Sequence, residues 1–307
     1  MRMVRGLALI ALLCGCEARL GQIQTDTTGG DATPAPGDGN STGDGNSGPP
    51  ADAAPLGAFT TPVEITNTAG TGASVDDPTM TSDELDIVYA VQASGASTKQ
   101  LWEITRTTTS SPWSTPVERD ELNIGTSEES PRFSLDNNTI YYGVDGDIYQ
   151  ATRSAIGQAF GAPQKVTTIS TSAYEKWMAI CTGNVVMVSR GNPTTANMDL
   201  FEGTLTGGAN TVDTVLNSAD SEISTFLSKD CLTVYYASNR SGQTQLYTST
   251  RTAVGQPWAT PTTLDPPLSP SDATDNEDPW LSIDQRTFLF ASIRGGGTTK
   301  QLYIATR

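Results

Sequence analysis

Short runs of β-branched and aromatic residues recur along residues 56–307 with a spacing of about 50 residues. The most regular run is a polar residue, then Leu or Ile, then an aromatic residue. It occurs five times: Gln100-Leu101-Trp102, Asp147-Ile148-Tyr149, Asp199-Leu200-Phe201, Gln245-Leu246-Tyr247 and Gln301-Leu302-Tyr303. A repeat of this length cannot bury its apolar face alone, so the period predicts an array of packed supersecondary units.

Each repeat carries the signals of four short strands. A second apolar run lies upstream of the regular one, as in Ile140-Tyr141-Tyr142, and a first strand ending in an Asp turn precedes it, as in Phe133-Ser134-Leu135-Asp136. An Asp in this place accepts hydrogen bonds from turn amides. Downstream, an aromatic residue and a proline, such as Trp258 and Pro261, indicate an outermost strand, because proline donates no ladder bond.

The sequence therefore predicts an all-β fold over residues 56–307, a five-bladed β-propeller of four-stranded antiparallel blades. The last repeat reaches Arg307 without an outer strand, whereas Phe59-Thr60-Thr61-Pro62-Val63 is an outer strand with no blade before it. We expect this N-terminal strand to complete the last blade, which closes the ring and covers an exposed strand edge.

Composition excludes several classes of function. The 307 residues include 18 Lys and Arg, 34 Asp and Glu and no His, for a formal net charge of −16. Without histidine there is no imidazole base for a Ser-His-Asp triad and no His-bound zinc. The acidic balance argues against nucleic acid and anionic lipid surfaces as partners. We expect no cofactor and no metal.

The first residues have the features of a bacterial secretion signal. Residues 1–15 combine Arg2 and Arg5 with an apolar run from Gly6 to Leu13, which is too short to span a bilayer. The segment that follows, Leu13-Cys14-Gly15-Cys16, resembles the lipobox, in which an acylated cysteine becomes the new N-terminus.

Cys16 is the expected lipidated residue, because the bulky Leu13 directly precedes Cys14. Residues 16–55 would then be the lipidated N-terminus and a disordered tether rich in Gly, Pro, Asp and Ser, which has too little apolar surface to pack. The alternative is an ordinary cleaved signal whose cysteines are incidental.

Two of the repeats carry a longer common pattern. It consists of Asp278-Pro279-Trp280-Leu281-Ser282-Ile283-Asp284, then Phe290-Ala291-Ser292-Ile293-Arg294 and Gln301-Leu302-Tyr303-Ile304-Ala305-Thr306-Arg307, with Tyr236-Ala237-Ser238-Asn239-Arg240-Ser241-Gly242 as its counterpart in the fourth repeat. Over residues 59–307 this pattern resembles the WD40-like repeats of TolB-type propellers and related envelope lipoproteins. TolB-type propellers usually have six blades, whereas this chain has five repeats. The resemblance implies a lipid-anchored protein of the bacterial cell envelope, on the periplasmic or surface face of the outer membrane.

One rim of the propeller is expected to carry structural pairs. The first turn and the end of the third strand of a blade lie on the same rim, so we expect four arginines to meet four aspartates there: Arg106, Arg153, Arg251 and Arg307 with Asp83, Asp136, Asp230 and Asp284. Cys181 and Cys231 fall at nearly equivalent first turns of neighbouring blades. In an exported protein we expect them to form a disulfide; the alternative is two buried thiols.

The opposite rim is the candidate recognition face. An acid stands at the entry to each innermost strand: Asp77, Glu129, Glu175, Glu222 and Asp278. Three arginines follow the second strands of repeats three to five: Arg190, Arg240 and Arg294. Five carboxylates converging on the axis would form a negative funnel for a cation or a basic peptide. The simpler interpretation, which we favour, is that they solvate loop ends and pair with these arginines.

These features lead to a primary prediction and two alternatives. The primary prediction is a monomeric, non-catalytic module that binds a protein, peptide or glycan of the cell envelope, with the membrane contacted through the lipid anchor. The first alternative is a propeller-type glycoside hydrolase that uses carboxylates at the channel mouth, with Asp77, Glu175 and Asp278 as candidates. The second is a scaffold without a ligand.

Overall fold

The computed structural model describes residues 56–70, 72–192, 197–270, 275–294 and 296–307, and these contain twenty β-strands. In chain order the strands are β1 (Val63–Glu64), β2 (Ser74–Met80), β3 (Asp86–Gln92), β4 (Gln100–Thr105), β5 (Val117–Glu118), β6 (Glu128–Phe133), β7 (Thr139–Val144), β8 (Asp147–Thr152), β9 (Gln164–Lys165), β10 (Tyr174–Ile180), β11 (Val185–Asn192), β12 (Asn197–Thr204), β13 (Gly208–Val212), β14 (Glu222–Leu227), β15 (Thr233–Ser238), β16 (Gln245–Thr250), β17 (Thr262–Thr263), β18 (Asn276–Leu281), β19 (Thr287–Ser292) and β20 (Gln301–Thr306). A 3-10 turn, Thr182–Asn184, joins β10 to β11.

Within the described residues no helix is long and apolar enough to cross a membrane. The predicted signal, Cys16 and the tether lie outside the described residues.

The strands form five four-stranded antiparallel sheets, which are the blades of the propeller. Blades 1 to 4 are β2–β5, β6–β9, β10–β13 and β14–β17 in chain order, and blade 5 is β18–β20 with β1 at its edge. The prediction of an all-β, five-bladed propeller is confirmed.

The outer edge of blade 5 is formed by the N-terminal side of the domain. In β1, Val63 lies opposite Ile304 and Glu64 opposite Tyr303 of β20. Ahead of β1, the ring of Phe59 packs edge-on against Phe288 with the ring centroids 5.6 Å apart. Since β1 covers the outer edge of β20, the two ends of the domain lie in the same blade.

The hydrophobic core is divided into five clusters, and each one joins two neighbouring blades. Blade 1 packs against blade 5 through Tyr89 and Leu289 and against blade 2 through Leu101 and Tyr142. The other clusters join blades 2 and 3, 3 and 4, and 4 and 5. Each fully buried aliphatic or aromatic side chain contributes about 1.5–3 kcal/mol, so the packing between the blades holds the ring together.

The middle strands of three blades repeat one buried hydrogen bond. The hydroxyls of Tyr89, Tyr142 and Tyr236 donate to the carbonyls of Thr68, Leu122 and Leu216, at 2.8, 2.9 and 3.2 Å. Each acceptor lies in the loop that leads to the innermost strand of the same blade. A buried tyrosine needs such a partner, and here the partner fixes the loops of one rim to the core.

The expected arginine–aspartate pairs on the opposite rim are wrong. The Nε atoms of Arg106, Arg153, Arg251 and Arg307 donate instead to backbone carbonyls of the first turns, at 2.8, 3.0, 2.8 and 2.7 Å. Their guanidinium groups stack on Trp113, Phe160, Trp258 and Phe59, at 4.3, 4.9, 4.2 and 4.2 Å from the ring centroids. The aspartates are occupied within their own turns: the Oδ1 of Asp136 accepts from the Ser134 hydroxyl at 2.6 Å and from the Asn138 amide at 3.0 Å.

A disulfide connects the first turns of blades 3 and 4. Cys181 and Cys231 are joined with their Cα atoms 5.5 Å apart, across a sequence separation of 50 residues. Beside it, the Thr182 hydroxyl donates to the Lys229 carbonyl at 2.6 Å. The equivalent turns of blades 1 and 2 are joined by two hydrogen bonds: the Asn137 side-chain amide donates to the Ser82 hydroxyl, and the Ser82 backbone amide donates to Asn137 Oδ1. A disulfide therefore joins one interface at the place where an asparagine side chain joins another.

Removal of the disulfide tests its contribution to stability. We expect Cys181→Ala/Cys231→Ala to lower the free energy of unfolding by about 4 kcal/mol, because a crosslink across a loop of this length restricts the unfolded chain. Denaturant unfolding of the variant and of reduced and oxidised wild type measures this. The variant should match the reduced protein, and a midpoint equal to that of the oxidised protein would contradict the prediction.

Candidate functional site

A β-bulge interrupts the innermost strand of every blade at the propeller axis. The bulges occur between Asp76 and Thr79, Glu129 and Arg132, Glu175 and Met178, Ile223 and Phe226, and Glu277 and Trp280. In four of them one residue has a positive φ: Asp77 (55°), Ser130 (57°), Ser224 (59°) and Asp278 (58°). Non-glycine residues in this region store strain, and such positions cluster at functional sites.

The bulges bring two buried carboxyl groups together. The indole Nε1 of Trp177 donates to Asp77 Oδ1 at 2.9 Å and to Asp278 Oδ1 at 3.2 Å. The hydroxyls of Ser130 and Ser224 donate to the same two oxygens at 3.1 and 2.6 Å. The Asp77 amide donates to Asp278 Oδ2 at 3.0 Å. One residue from each blade therefore takes part in this axial network.

The pKa values of the two axial carboxyls are shifted in opposite directions. Burial favours the neutral form of Asp77, but the Lys99 and Lys176 ammonium groups and the neighbouring hydrogen bonds outweigh it and hold the pKa of Asp77 well below its ordinary value. Burial, together with the charge of Asp77, raises the pKa of Asp278 well above its ordinary value. Two carboxyls in close contact are expected to have pKa values that differ in this way, because ionisation of one disfavours ionisation of the other.

A second layer of charges lies beside this pair. The Lys99 Nζ lies 2.7 Å from Asp76, 3.1 Å from Asp77 and 3.7 Å from Glu129. The Lys176 Nζ lies 2.7 Å from Glu129, and Lys300 is ion-paired with Glu277. Burial raises the pKa of Asp76 to about 6, against the opposing charge of Lys99.

These groups adjoin a cavity of about 520 Å³ at the mouth of the axis. Its walls include Lys99, Glu129, Tyr174, Lys176 and Trp177. The Tyr174 hydroxyl donates to Glu129 Oε1 at 2.8 Å, so Glu129 is held by a hydroxyl and two ammonium groups. Asp77 and Asp278 lie deeper, with 2% and 0% of their surface exposed.

The predicted ring of five acids needs correction. Asp77 and Asp278 meet at the axis and Glu129 lines the cavity, whereas Glu175 and Glu222 are buried in ion pairs with Arg190 and Arg240 at 2.6 and 2.9 Å. The acids occupy three different positions relative to the bulge. Side chains alternate along a strand, so an offset of one residue turns a side chain to the other face of the sheet.

The three arginines of this rim have structural contacts. The Arg294 Nη2 donates to Asn276 Oδ1 at 2.8 Å, which places Asn276 where blades 3 and 4 have Glu175 and Glu222. The guanidinium groups of Arg190, Arg240 and Arg294 stack on Phe201, Tyr247 and Phe290, at 4.8, 4.9 and 4.4 Å from the ring centroids. The pairing of acids with these arginines, which the sequence also predicts, is found for Glu175 and Glu222.

Three carboxyls have the spacing of a cation site. Asp76, Asp77 and Asp278 each offer an oxygen, and these oxygens lie within 4.8 Å of one another. However, the Lys99 ammonium already lies at hydrogen-bond distance from Asp76 and Asp77. A lysine charge therefore neutralises the acids in the place where a metal ion would bind.

Comparison with known proteins was made for the sequence and for the fold. No family model matches the sequence, and no curated protein matches it at a significant level. An α-L-arabinofuranosidase from Podospora anserina, solved with cellotriose, matches with a TM-score of 0.57 at 13% identity, over 81% of this chain and 95% of that one. An endo-arabinase from Bacteroides thetaiotaomicron matches with a TM-score of 0.50 at 12% identity, over 82% and 98%. A TolB propeller from Agrobacterium tumefaciens matches with a TM-score of 0.49 at 14% identity, over 81% and 85%.

The predictions of a non-catalytic binding module and of a protein without enzymatic activity are wrong by this comparison. Five solved propellers that match with TM-scores of 0.50 to 0.57 are glycoside hydrolases. At identities of 12% to 14% the likeness establishes the shared propeller fold, and it favours the alternative prediction, a glycoside hydrolase, over the primary one.

The raised pKa of Asp76 predicts a specific pH dependence of stability. The folded state binds the Asp76 proton more tightly than the unfolded state does. The contribution of this proton to the free energy of unfolding is therefore complete below the ordinary pKa of 3.8, and it is lost as the pH rises through about 6. Between about pH 4 and pH 7, wild type should lose on the order of 1–3 kcal/mol relative to Asp76→Asn. Denaturant unfolding across this range measures the difference. Asp147→Asn, at a partly exposed ion pair with Lys165, is the control and should parallel wild type, and parallel curves for Asp76→Asn would contradict the assignment.

Proposed function

We propose that this protein is a glycoside hydrolase and that its active site is the axial cavity lined by Glu129. The fold that it shares with arabinofuranosidases and an endo-arabinase supports this class. The observation that carries the proposal is a pair of carboxyls with different environments that contact one lysine: Glu129, which lines the cavity, and Asp76, which is buried behind Lys99.

The Lys99 ammonium group sets an upper limit on the separation of this pair. The Lys99 Nζ contacts Asp76 Oδ2 at 2.7 Å and Glu129 Oε2 at 3.7 Å. The two oxygens are therefore separated by less than the sum of these distances. Glycosidases place their two carboxyls roughly 5 to 10 Å apart, with the nearer spacing in retaining enzymes. Movement of the Lys99 side chain would leave room for the sugar between them.

The environments assign a role to each carboxyl. Burial raises the pKa of Asp76 to about 6, and its Oδ1 is buried without a hydrogen-bond partner. Asp76 is thus suited to donate a proton to the leaving oxygen as the glycosidic C–O bond breaks. Glu129, held by Lys176 and Tyr174, is suited to attack the anomeric carbon or to take the proton of an attacking water.

The earlier candidates Asp77, Glu175 and Asp278 fit these roles less well. Glu175 is enclosed in its ion pair with Arg190. Both oxygens of Asp77 have partners, since Ser130 and Trp177 donate to one and Lys99 to the other. We assign to Asp77 and Asp278 the role of positioning Trp177 and fixing the charge beneath the reacting groups.

Activity of the full chain tests the proposal. We expect release of reducing sugar from arabinose- or xylose-containing glycans, the class to which the substrates of the matching hydrolases belong. Asp76→Asn and Glu129→Gln should each lower kcat by about 100-fold or more, because each removes a proton-transfer or nucleophilic group. Wild-type activity should fall as the pH rises through about 6, since Asp76 loses its proton.

The control for this experiment is Asp147→Asn, which makes the same chemical change at an ion pair with Lys165 outside the cavity. It should retain wild-type activity. Absence of hydrolysis across arabinan, arabinoxylan, xylan and cello-oligosaccharides, or equal activity in all three variants, would contradict the proposal.

We also propose, from the sequence, that Cys16 is lipidated and that the enzyme is anchored in the bacterial cell envelope, where glycans are accessible to it. Metabolic labelling of bacteria that produce the full chain with an alkyne fatty acid should label wild type and Cys14→Ser but not Cys16→Ser. Loss of the label in Cys14→Ser, or no label in wild type, would disprove this assignment.

A further inference from the structure

A second cavity, of about 630 Å³, lies at the opposite mouth of the axis. Its rim is formed by the first turns of the five blades, with Ser82, Ser134, Thr182, Ser228 and Ser282. Its volume falls within the range of small-molecule sites.

The walls of this cavity are apolar and come from all five blades. They include Met80, Phe133, Ile180, Phe226, Trp280 and Leu281. The hydroxyls of the rim are occupied within the turns: Ser134, Ser228 and Ser282 donate to Asp136, Asp230 and Asp284 at 2.6, 2.5 and 2.6 Å. The walls therefore offer a ligand contact area rather than hydrogen bonds.

Three apolar side chains on the rim of this cavity are exposed to solvent. Leu135, Val254 and Ile283 line the cavity and are 38%, 49% and 49% exposed. Lys229 and Asp230 are the charged residues of the rim among the described lining residues, and their opposite charges favour neither an anion nor a cation. Covering the apolar groups with another apolar group is favourable, at roughly 25 cal/mol per Å².

Arg132 separates this cavity from the candidate active site. It follows the bulge of β6, is 5% exposed and donates to the Pro78 carbonyl at 2.6 Å and the Thr225 carbonyl at 3.4 Å. Phe133, the next residue, lines the apolar cavity. The Arg132 side chain thus stands between this cavity and Glu129, and the inference below does not rest on the proposed enzymatic activity.

The chain enters the described domain on the same rim. The Thr60 amide donates to the Thr306 carbonyl at 2.8 Å, and Phe59 lies under Arg307. Arg307 in turn donates to the carbonyl of Gln285, which lines the cavity. The first described residues of the chain therefore lie on the rim that bears the apolar cavity.

We propose that this cavity binds the hydrocarbon chain of a neutral amphiphile. The apolar walls, the exposed apolar rim and the balanced charges of Lys229 and Asp230 all favour an aliphatic ligand over a sugar or an ion. The polar end of the amphiphile would remain at the rim, beside Lys229 and Asp230.

Calorimetric titration of the full chain with 1-decanol tests this proposal. We expect saturable binding of one molecule per chain with a negative heat-capacity change. Leu135→Glu/Ile283→Glu should raise the Kd at least tenfold, because it places two carboxylates where the hydrocarbon enters. Val117→Glu/Val212→Glu makes the same change at exposed valines of the outer strands β5 and β13 and should leave the Kd unchanged, as should Glu129→Gln.

Three results would overturn the proposal. One is the absence of saturable binding, and another is an equal loss of binding in the matched control. The third is a different occupant of the rim. Flotation with phosphatidylcholine vesicles that is lost in Leu135→Glu/Ile283→Glu, without decanol binding by wild type, would identify a membrane surface. A concentration-dependent dimer that the same substitutions disperse, again without decanol binding, would identify a second copy of the chain.

Discussion

The bulge in each innermost strand is the constraint on which the axial site depends. In a regular strand, successive side chains point to opposite faces, and few would project directly into the axis. The bulge adds one residue, breaks the alternation and turns that residue inward. Asp and Ser, which occupy four of these positions, tolerate positive φ better than β-branched residues do. Prolines 78, 131 and 279 follow three of them, at places where the ladder needs no donor.

Burial of this cluster costs free energy, and the contacts offset only part of that cost. Asp76, Asp77 and Asp278 are each at most 3% exposed, and a charge removed from water is expensive unless it is paired and hydrogen-bonded. Lys99, Trp177 and the two serines supply these contacts, and the raised pKa of Asp278 favours the neutral form of that carboxyl. A well-packed apolar axis would be at least as stable. Retention of the cluster is therefore more consistent with a chemical role than with a purely structural one.

The fold followed from the sequence because the repeats share most of their local signals. The aromatic of the third strand, the Asp of the first turn and the outer proline recur at matching places, and the structure places each in the expected blade. The partners of side chains were harder to derive. Arg153 is expected to meet Asp136, but that carboxylate is satisfied by its own turn. The Arg153 guanidinium is held instead by a carbonyl and two aromatic rings, and its Nη1 lies 3.7 Å from Asp86 Oδ2.

The candidate site was found only in part for a similar reason. Asp77, Glu129 and Asp278 were recognised, but the acids were treated as equivalent although they stand one or two residues apart relative to the bulge. The tripeptides Asp76-Asp77-Pro78, Glu129-Ser130-Pro131 and Glu277-Asp278-Pro279 carried the correct alignment. Lys99 and Lys300 also had a signal, since each directly precedes the Gln-Leu-aromatic run of its blade. Trp177 had none, because it stands where other blades have Asp or Ser.

The same bulges also explain why the two mouths of the axis differ in chemistry. Residues before the bulge carry the charges, as Asp76, Glu129 and Glu277 do, whereas residues after it are apolar, as Met80, Phe133 and Leu281 are. Each innermost strand is therefore divided at one point into a polar and an apolar half, and five such strands in a ring produce two cavities of opposite character. Arg132 stands at this division with its donors directed to backbone carbonyls, so the polar mouth ends at a buried cation and the apolar mouth begins at Phe133. Arg132 also connects the two mouths. Its guanidinium lies 6.0 Å from the centroid of the Phe226 ring, which lines the apolar cavity, and it interacts electrostatically with Asp77 and Asp278 beneath the polar mouth.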